Sequence, residues 1–460
     1  MILARVEKRL GTANGTLLLV LSLVVVKIIG GLYKIPLYNM LGGYGIGLYQ
    51  SVFPVYALLL AISGGGISSG ITTLISRGYN AKSTLKKCVF LFLPLGLIFN
   101  LILFFLGDLI ANLQGNIYGG SLFKIISFAL APVCLISCLR GYFQGKSNFI
   151  PSAFSQVIEQ LVKCVSGVIA LLLCDGDAVN KAFWACFAVT LSEVLTLIFL
   201  AVVYLTVCKK KGKAEEPCDT PKEPKSKEII SFIAPLILSS LCLPLASFAD
   251  SFIVINSLKG IYGESAVSVY GVYTGGVDTL INLPVSLLNA FSLGFLPKIS
   301  NSESAGKSVF YVFLLALAGT LGVIFISPIA VKILFGGSSE YNSLAISLLQ
   351  KASVCIILHS LLHAINGVLL AMGKQKISLL SLFLGVAVKI IIDITLIKIP
   401  SINIFGMVIS DVGCYFVALI FNLLYIIYNK NIFLGKQNEN NLSRIRCRRK
   451  LSFRKSRAGN

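Results

Sequence analysis

Lys27 and Lys34 stand seven residues apart inside an otherwise apolar stretch, "VVVKIIGGLYKIPLYNMLGGYG", residues 24–45. Seven residues turn a helix through about 700°, so the two ammonium groups share one face, stacked roughly 10 Å apart. A lysine at the bilayer centre costs roughly 2.5–3.5 kcal/mol on insertion scales, and such residues face a water-filled cavity rather than lipid. Two cations on one face make an anion site, and lysine serves phosphate as a point charge. Gly30, Gly31 and Pro36 lie around them. Glycine lets another backbone approach, and proline frees a carbonyl and permits a kink. The bland alternative has Lys34 reaching out to the interface and Lys27 paired with a carboxylate elsewhere.

Other charges sit in apolar surroundings. Glu159 and Lys163 are four residues apart, as are Lys389 and Asp393. Pairs at this spacing meet on one helix face. Either they neutralise each other to ease insertion, or they are gates or ligands. Asp250 in "SFADSFIV" and Asp278 in "GGVDTLIN" have no local basic partner. They bind a coupling H⁺ or Na⁺, or they pair across the cavity with Lys27 or Lys34, since unpaired buried charge is expensive. Several motifs fail. "GYFQGKS" lacks the spacing of a phosphate loop, and "HSLLH", with the only two histidines, lacks a metalloprotease's Glu. The 12 cysteines are scattered with no C-x-x-C, so they read as packing residues rather than disulfides or metal ligands. No metal and no cofactor beyond a coupling ion is expected.

The elements that must position these charges are membrane helices. The chain has 460 residues, 56% hydrophobic and 13% charged, where soluble domains carry about 25% charged residues. Apolar runs of about 20 residues place twelve spans near 14–38, 48–76, 88–111, 122–140, 151–174, 181–207, 229–257, 266–296, 309–335, 347–373, 378–398 and 404–428. Runs longer than a bilayer needs imply tilt or kinks. The first 13 residues are polar and basic, with no small-residue cleavage site after the following run, the pattern of a retained first span.

The net charge is +21, and three quarters of the 40 Lys and Arg residues fall in the segments that become cytoplasmic if the N-terminus is cytoplasmic. The basic balance is thus an orientation signal, with both termini inside and attraction to anionic lipid secondary. The tail "RIRCRRKLSFRKSR" is expected on the inner leaflet and not on nucleic acid. A charged, proline-containing linker, 208–228, separates residues 14–207 from 229–428, six spans each, flanked by an N-terminal tail 1–13 and a basic tail 429–460.

The halves repeat. Tyr49 matches Tyr270, Ser76 matches Ser300, Gly141 matches Gly367, and Lys163 matches Lys389, at nearly constant offset and in order. Six spans per half give a parallel repeat, with the substrate between the halves near the midplane. The expected fold class is all-α: a polytopic bundle of two six-helix lobes around a central cavity. Pro244 and Pro284, with Gly30, Gly31 and Pro36, are the expected hinges.

The block "GLYKIPLYNMLGGYGIGLYQSVFPVYALLLAISGGGISSGITTLIS", with "RGYFQGKSNFIPSAFSQVIEQLVK", "TLINLPVSLLNAFSLGFLPKIS" and "NGVLLAMGK", resembles the polysaccharide-biosynthesis transporters, stage V sporulation protein B and its relatives. That group belongs to the multidrug/oligosaccharidyl-lipid/polysaccharide exporter superfamily, with the lipid II flippases. The resemblance implies a V-shaped, two-lobed bundle of the bacterial plasma membrane. It implies alternating access that moves an undecaprenyl-pyrophosphate-linked glycan outward, without catalysis. Lipid II flippases carry two arginines around R-x-x-G-x-x-R in their first helix. Here Lys27 and Gly30 match, and the second cation, Lys34, falls one residue later. Lysine lacks arginine's bidentate fork. Spans two and eight hold no arginine, and a basic tail follows span twelve where some relatives have two further helices that make a lipid-tail groove, so the expectation is that either this groove is absent or the substrate differs from lipid II. The rival readings are a cation-coupled drug or metabolite antiporter, a structural sporulation factor and a membrane glycan enzyme. The sugar, the oligomeric state and the coupling ion are not legible.

Overall fold

A computed structural model describes residues 12–211, 222–295, 302–336, 340–371 and 374–429. Nearly all of the expected N-terminal and C-terminal tails, the middle of the linker, and Ser300 of the repeat lie outside the described residues. A backbone in lipid must satisfy its own hydrogen bonds, which favours helices. Among the described residues no sheet forms; one parallel bridge joins Tyr79 to Lys222.

Nine helical runs are long and apolar enough to cross a membrane among the described residues, or ten with the bent pair Ser226–Leu238 and Cys242–Asn289. Two of these ten serve for two crossings each. Leu21–Ser76 has 56 residues, about 84 Å of helix against a hydrocarbon core of about 30 Å. It turns at Gly42, whose φ of 67° a side chain would strain. The bent pair turns at Gly263, φ 57°. Glycine reverses the chain at matching places in the two halves. The described helices then trace the twelve expected spans.

Span one and much of span two form Thr12–Leu60, and span two ends in Gly66–Ser76 after a π-helical turn at Ala61–Gly65. Spans three, five and six are Ala81–Leu113, Ile150–Leu173 and Ala178–Lys211; span four is Gly120–Ser127 with Leu130–Gly145. Span seven is Ser226–Ser240 with Cys242–Tyr262, bent by 52° two residues before Pro244. Span eight runs from Ala266 through a π-helical segment, Val272–Val277, to Phe295. Span nine is Ser302–Phe335, span ten Asn342–Ala352 with Val354–Ala371, span eleven Gln375–Leu396 and span twelve Phe405–Tyr428.

The repeat is visible in the packing. Span one packs on five, two on four, three on four, and five on six; seven on eleven, eight on ten, nine on ten, and eleven on twelve repeat the set. The described ends of the linker are ordered. Span six continues to Lys211, Asn80 N–H donates to Lys222 O (3.1 Å), and Lys87 pairs with Glu223 at 3.4 Å.

The lobes meet through spans one, two, seven and eight. Near the glycine turns, span two lies directly on span eight: a Cβ on Gly47 would sit 2.1 Å from Val267 O, and one on Gly271 2.5 Å from Gly47 Cα. Tyr38 closes the same end, donating to Gly271 O (3.0 Å) with its ring 4.1 Å from that of Phe335. At the opposite end span two meets span seven, where Gly66 and Gly70 admit Ile237 and Ile233. Spans one and eight touch at Gly31, where a Cβ would lie 2.8 Å from Leu283. Gly30 and Gly31 therefore act as points of close approach, to Gln160 and Leu283, within a continuous helix.

Candidate functional site

Two chambers lie between the lobes. The first, about 330 Å³, is lined by Lys27, Gly30, Gly31 and Lys34 of span one, Tyr49 and Gln50 of span two, Lys163 of span five, and Asp278, Asn282 and Leu283 of span eight. The second, about 360 Å³, is lined by Pro54, Asp250, Tyr270, Tyr273, Lys389, Asp411 and Tyr415, among others. Gln50, Phe53, Asp278 and Asn282 border both, so the chambers are two halves of one cavity. The repeat-matched tyrosines, Tyr49 and Tyr270, take one chamber each.

The two walls differ in charge. In the first chamber Lys27 and Lys163 form no ion pair among the described residues. Lys34 Nζ donates to Thr279 Oγ1, held there because Thr279 and Asp278 follow the π-helical segment of span eight. Asp278 accepts from Asn282 Nδ2 at 2.7 Å. Three ammonium groups thus face one carboxylate.

In the second chamber Lys389 is 5% exposed and surrounded by carboxylates: Asp411 at 2.8 Å, Asp250 at 3.1 Å and Asp393 at 3.6 Å. Ser410 Oγ lies 3.2 Å from the same ammonium, and Tyr273 donates to Asp411 at 2.6 Å. Three carboxylates outnumber one cation, and both oxygens of Asp393 lack a hydrogen-bond donor among the described residues. Carboxylates are in excess on this wall.

Several expected pairings differ. Glu159 does not pair with Lys163: Arg140 of span four takes it at 2.7 Å and also donates to Ser155 Oγ at 2.9 Å. The guanidinium's fork reaches two acceptors on span five at once, which the neighbouring ammonium on the same helix does not. Lys163 is left for the cavity. Asp250 pairs with Lys389, not with Lys27 or Lys34. Lys389 borders the cavity, but it is engaged by carboxylates rather than open to an anion. Lys389 and Asp393 do meet at the i,i+4 spacing.

Sequence reading did not single out Asp411, Arg140 or Glu193. Glu193, 6% exposed on span six, accepts from Tyr56 OH at 3.5 Å. The signal was there, since each lies in or at the end of an apolar run. The two histidines contact each other, Nε2 to Nε2 at 3.0 Å, and His359 stacks on Tyr415 with centroids 4.4 Å apart. Among the described residues no cluster of three metal ligands occurs.

The family model described as polysaccharide biosynthesis protein matches residues 12–303. The chain is 27% identical to the lipid II flippase MurJ of Bacillus subtilis (strain 168), over 90% of its length and 82% of that protein. It is 24% identical to stage V sporulation protein B of the same organism, over 88% of its length and 82% of that protein. Among solved structures it is similar to a lipid II flippase MurJ in an inward closed conformation, with a TM-score of 0.70 at 14% identity, covering 89% of this chain and 87% of that one. It is also similar to an inward-facing multidrug transporter of the MOP superfamily, with a TM-score of 0.69 at 15% identity, covering 88% and 96%.

Proposed function

The chain belongs to the polysaccharide biosynthesis protein family, a membrane exporter of the multidrug/oligosaccharidyl-lipid/polysaccharide superfamily related to the lipid II flippases, and from that premise we propose that it flips a polyprenyl-pyrophosphate-linked glycan across the bilayer. The observation that carries this reading is the wall of three cavity lysines, Lys27, Lys34 and Lys163, on one lobe. A pyrophosphate needs cations that are not already spent on carboxylates, and among the described residues these have none paired to them. An organic cation would prefer a wall without them.

The direction proposed is outward. The distribution of basic segments favours cytoplasmic termini, and in that orientation the glycine-turned end is the outer one. An inside-negative potential is worth about 2.3 kcal/mol per charge per 100 mV, which favours expulsion of an anionic head. The lysines draw the head into the first chamber, and the polyprenyl chain remains in lipid. Parting the Gly47–Gly271 contact then opens the outer end. The acidic wall around Lys389 is the proposed seat of a coupling H⁺ or Na⁺.

The test is a sidedness assay in proteoliposomes, comparing lipid II and a second polyprenyl-pyrophosphate glycan. Wild type should expose glycolipid to the far leaflet, and Lys27→Ala with Lys34→Ala should not. Equal transfer by the double variant would remove the site from the mechanism.

A further inference from the structure

Span eight has a second face. Asp278, Thr279 and Asn282 look into the cavity, whereas Leu280, Leu283 and Leu287 line an apolar groove of about 320 Å³ against span nine. These leucines recur at the three- and four-residue spacing that makes one helix face. On span nine Gly319, Gly322 and Ile326 recur in the same way. The groove exists because two of these residues have no side chain. A Cβ at Gly322 would meet nothing within 4 Å, and one at Gly319 would meet only Ile356 and Pro284, at 3.8 Å. Leu287 is 43% exposed and Ile326 55%, so the groove is open to the bilayer along its length.

One residue belongs to both spaces. Leu283 borders the lysine-lined chamber and the groove, and it is also the residue against Gly31 where spans one and eight touch. A cationic chamber and an apolar channel divided by a single leucine suit one amphiphile with an anionic head and a long hydrocarbon chain.

We propose that the groove between spans eight and nine holds the head-proximal isoprene units of the lipid-linked substrate, with the head–chain junction passing over Leu283. This rests on the flippase reading above. It adds where the chain goes while the head is at the midplane. A chain lodged at the level of the chamber need not be dragged between leaflets before the head has crossed.

The experiment fills the groove and varies the chain. The probes are a fluorescent undecaprenyl-pyrophosphate disaccharide and its methyl-pyrophosphate counterpart, which has no chain to place in the groove. Gly322→Phe projects into open space, and Gly322→Ala controls for loss of the glycine. Gly322→Phe should slow transfer of the undecaprenyl probe by about tenfold, as overpacking an occupied pocket does, and leave the methyl probe and the alanine control at wild-type rates. Undiminished undecaprenyl transfer in Gly322→Phe overturns the inference, as does equal slowing of both probes. A photoreactive phospholipid that labels span nine as well as a photoreactive prenyl probe does also overturns it, because ordinary lipid then fills the groove. A wild-type protein that moves neither probe overturns the flippase reading and this inference together. A wild type that moves both, with an unaffected Gly322→Phe, overturns this inference alone.

Discussion

Lys163 and Lys389 occupy corresponding places in the two lobes, yet Lys389 lies 2.8 Å from Asp411 and is ringed by two further carboxylates, while Lys163 has no carboxylate partner among the described residues. Each lobe carries one such lysine. Acidic residues on spans seven, eleven and twelve surround one of them, and Arg140 leaves the other open to the cavity by taking Glu159. The cavity is therefore polarised along the line between the lobes.

Removing one cavity lysine should weaken binding of a pyrophosphate head. A hydrogen bond to a charged group contributes about 1.5–3 kcal/mol, so Lys27→Ala, Lys34→Ala and Lys163→Ala should each raise the Kd of a lipid pyrophosphate by about 10- to 100-fold. Lys124→Ala is the control, because its pair with Asp108 at 2.6 Å is largely solvent-exposed and exposed pairs contribute about 0–1 kcal/mol. Ligand-induced thermal stabilisation in detergent, titrated with undecaprenyl pyrophosphate, reads out all four.

Breaking the acidic cluster should cost stability rather than affinity. Lys389→Met leaves three carboxylates, two of them buried, without a cation, and losing one partner of a buried pair costs about 3–5 kcal/mol. Its melting midpoint should fall sharply. Asp250→Asn in the same chain should restore part of the loss, since it removes excess negative charge. No recovery in the double variant would mean the cluster is not held together by charge balance.

Arg140→Lys should behave like Arg140→Ala at this site. The guanidinium serves Glu159 and Ser155 at once, and a single ammonium lacks that planar fork. Both variants should lose about 1–3 kcal/mol of stability, and Glu159 should become free to pair with Lys163. Transfer activity should then fall even when measured per folded molecule.

The glycine seal predicts a conformational bias. Gly47→Val places carbon where Val267 O stands, so the end bearing Gly42 and Gly263 cannot close as it does here. A cysteine replacing Gln50, which borders both chambers, should then react faster with a membrane-impermeant maleimide added from outside. Unchanged labelling would show that the contact is not the barrier.

Hydropathy made the twelve runs legible, and the spaced matches of Tyr49 with Tyr270 and Lys163 with Lys389 made the two lobes legible. The partners of the charges were not. The i,i+4 rule tells which residues can meet on a helix, and it offered Lys163 to Glu159. It says nothing of Arg140, which arrives from span four and makes the better contact. Asp411 was as visible as Asp250 in its apolar run, but only the packing of spans seven, eleven and twelve brings both to Lys389. Gly30 and Gly31 look like flexible points in one dimension. In three they are where Gln160 and Leu283 come close.

Where Gly47 lies on Gly271, two bare stretches of main chain touch, with no large side chain locked between them. Helices in lipid join through such small residues by close packing rather than by hiding apolar surface from water. Parting them wets only a narrow strip of peptide, so little work separates the shut molecule from the open one. A machine that must cycle is better served by a smooth bearing than by a bolt.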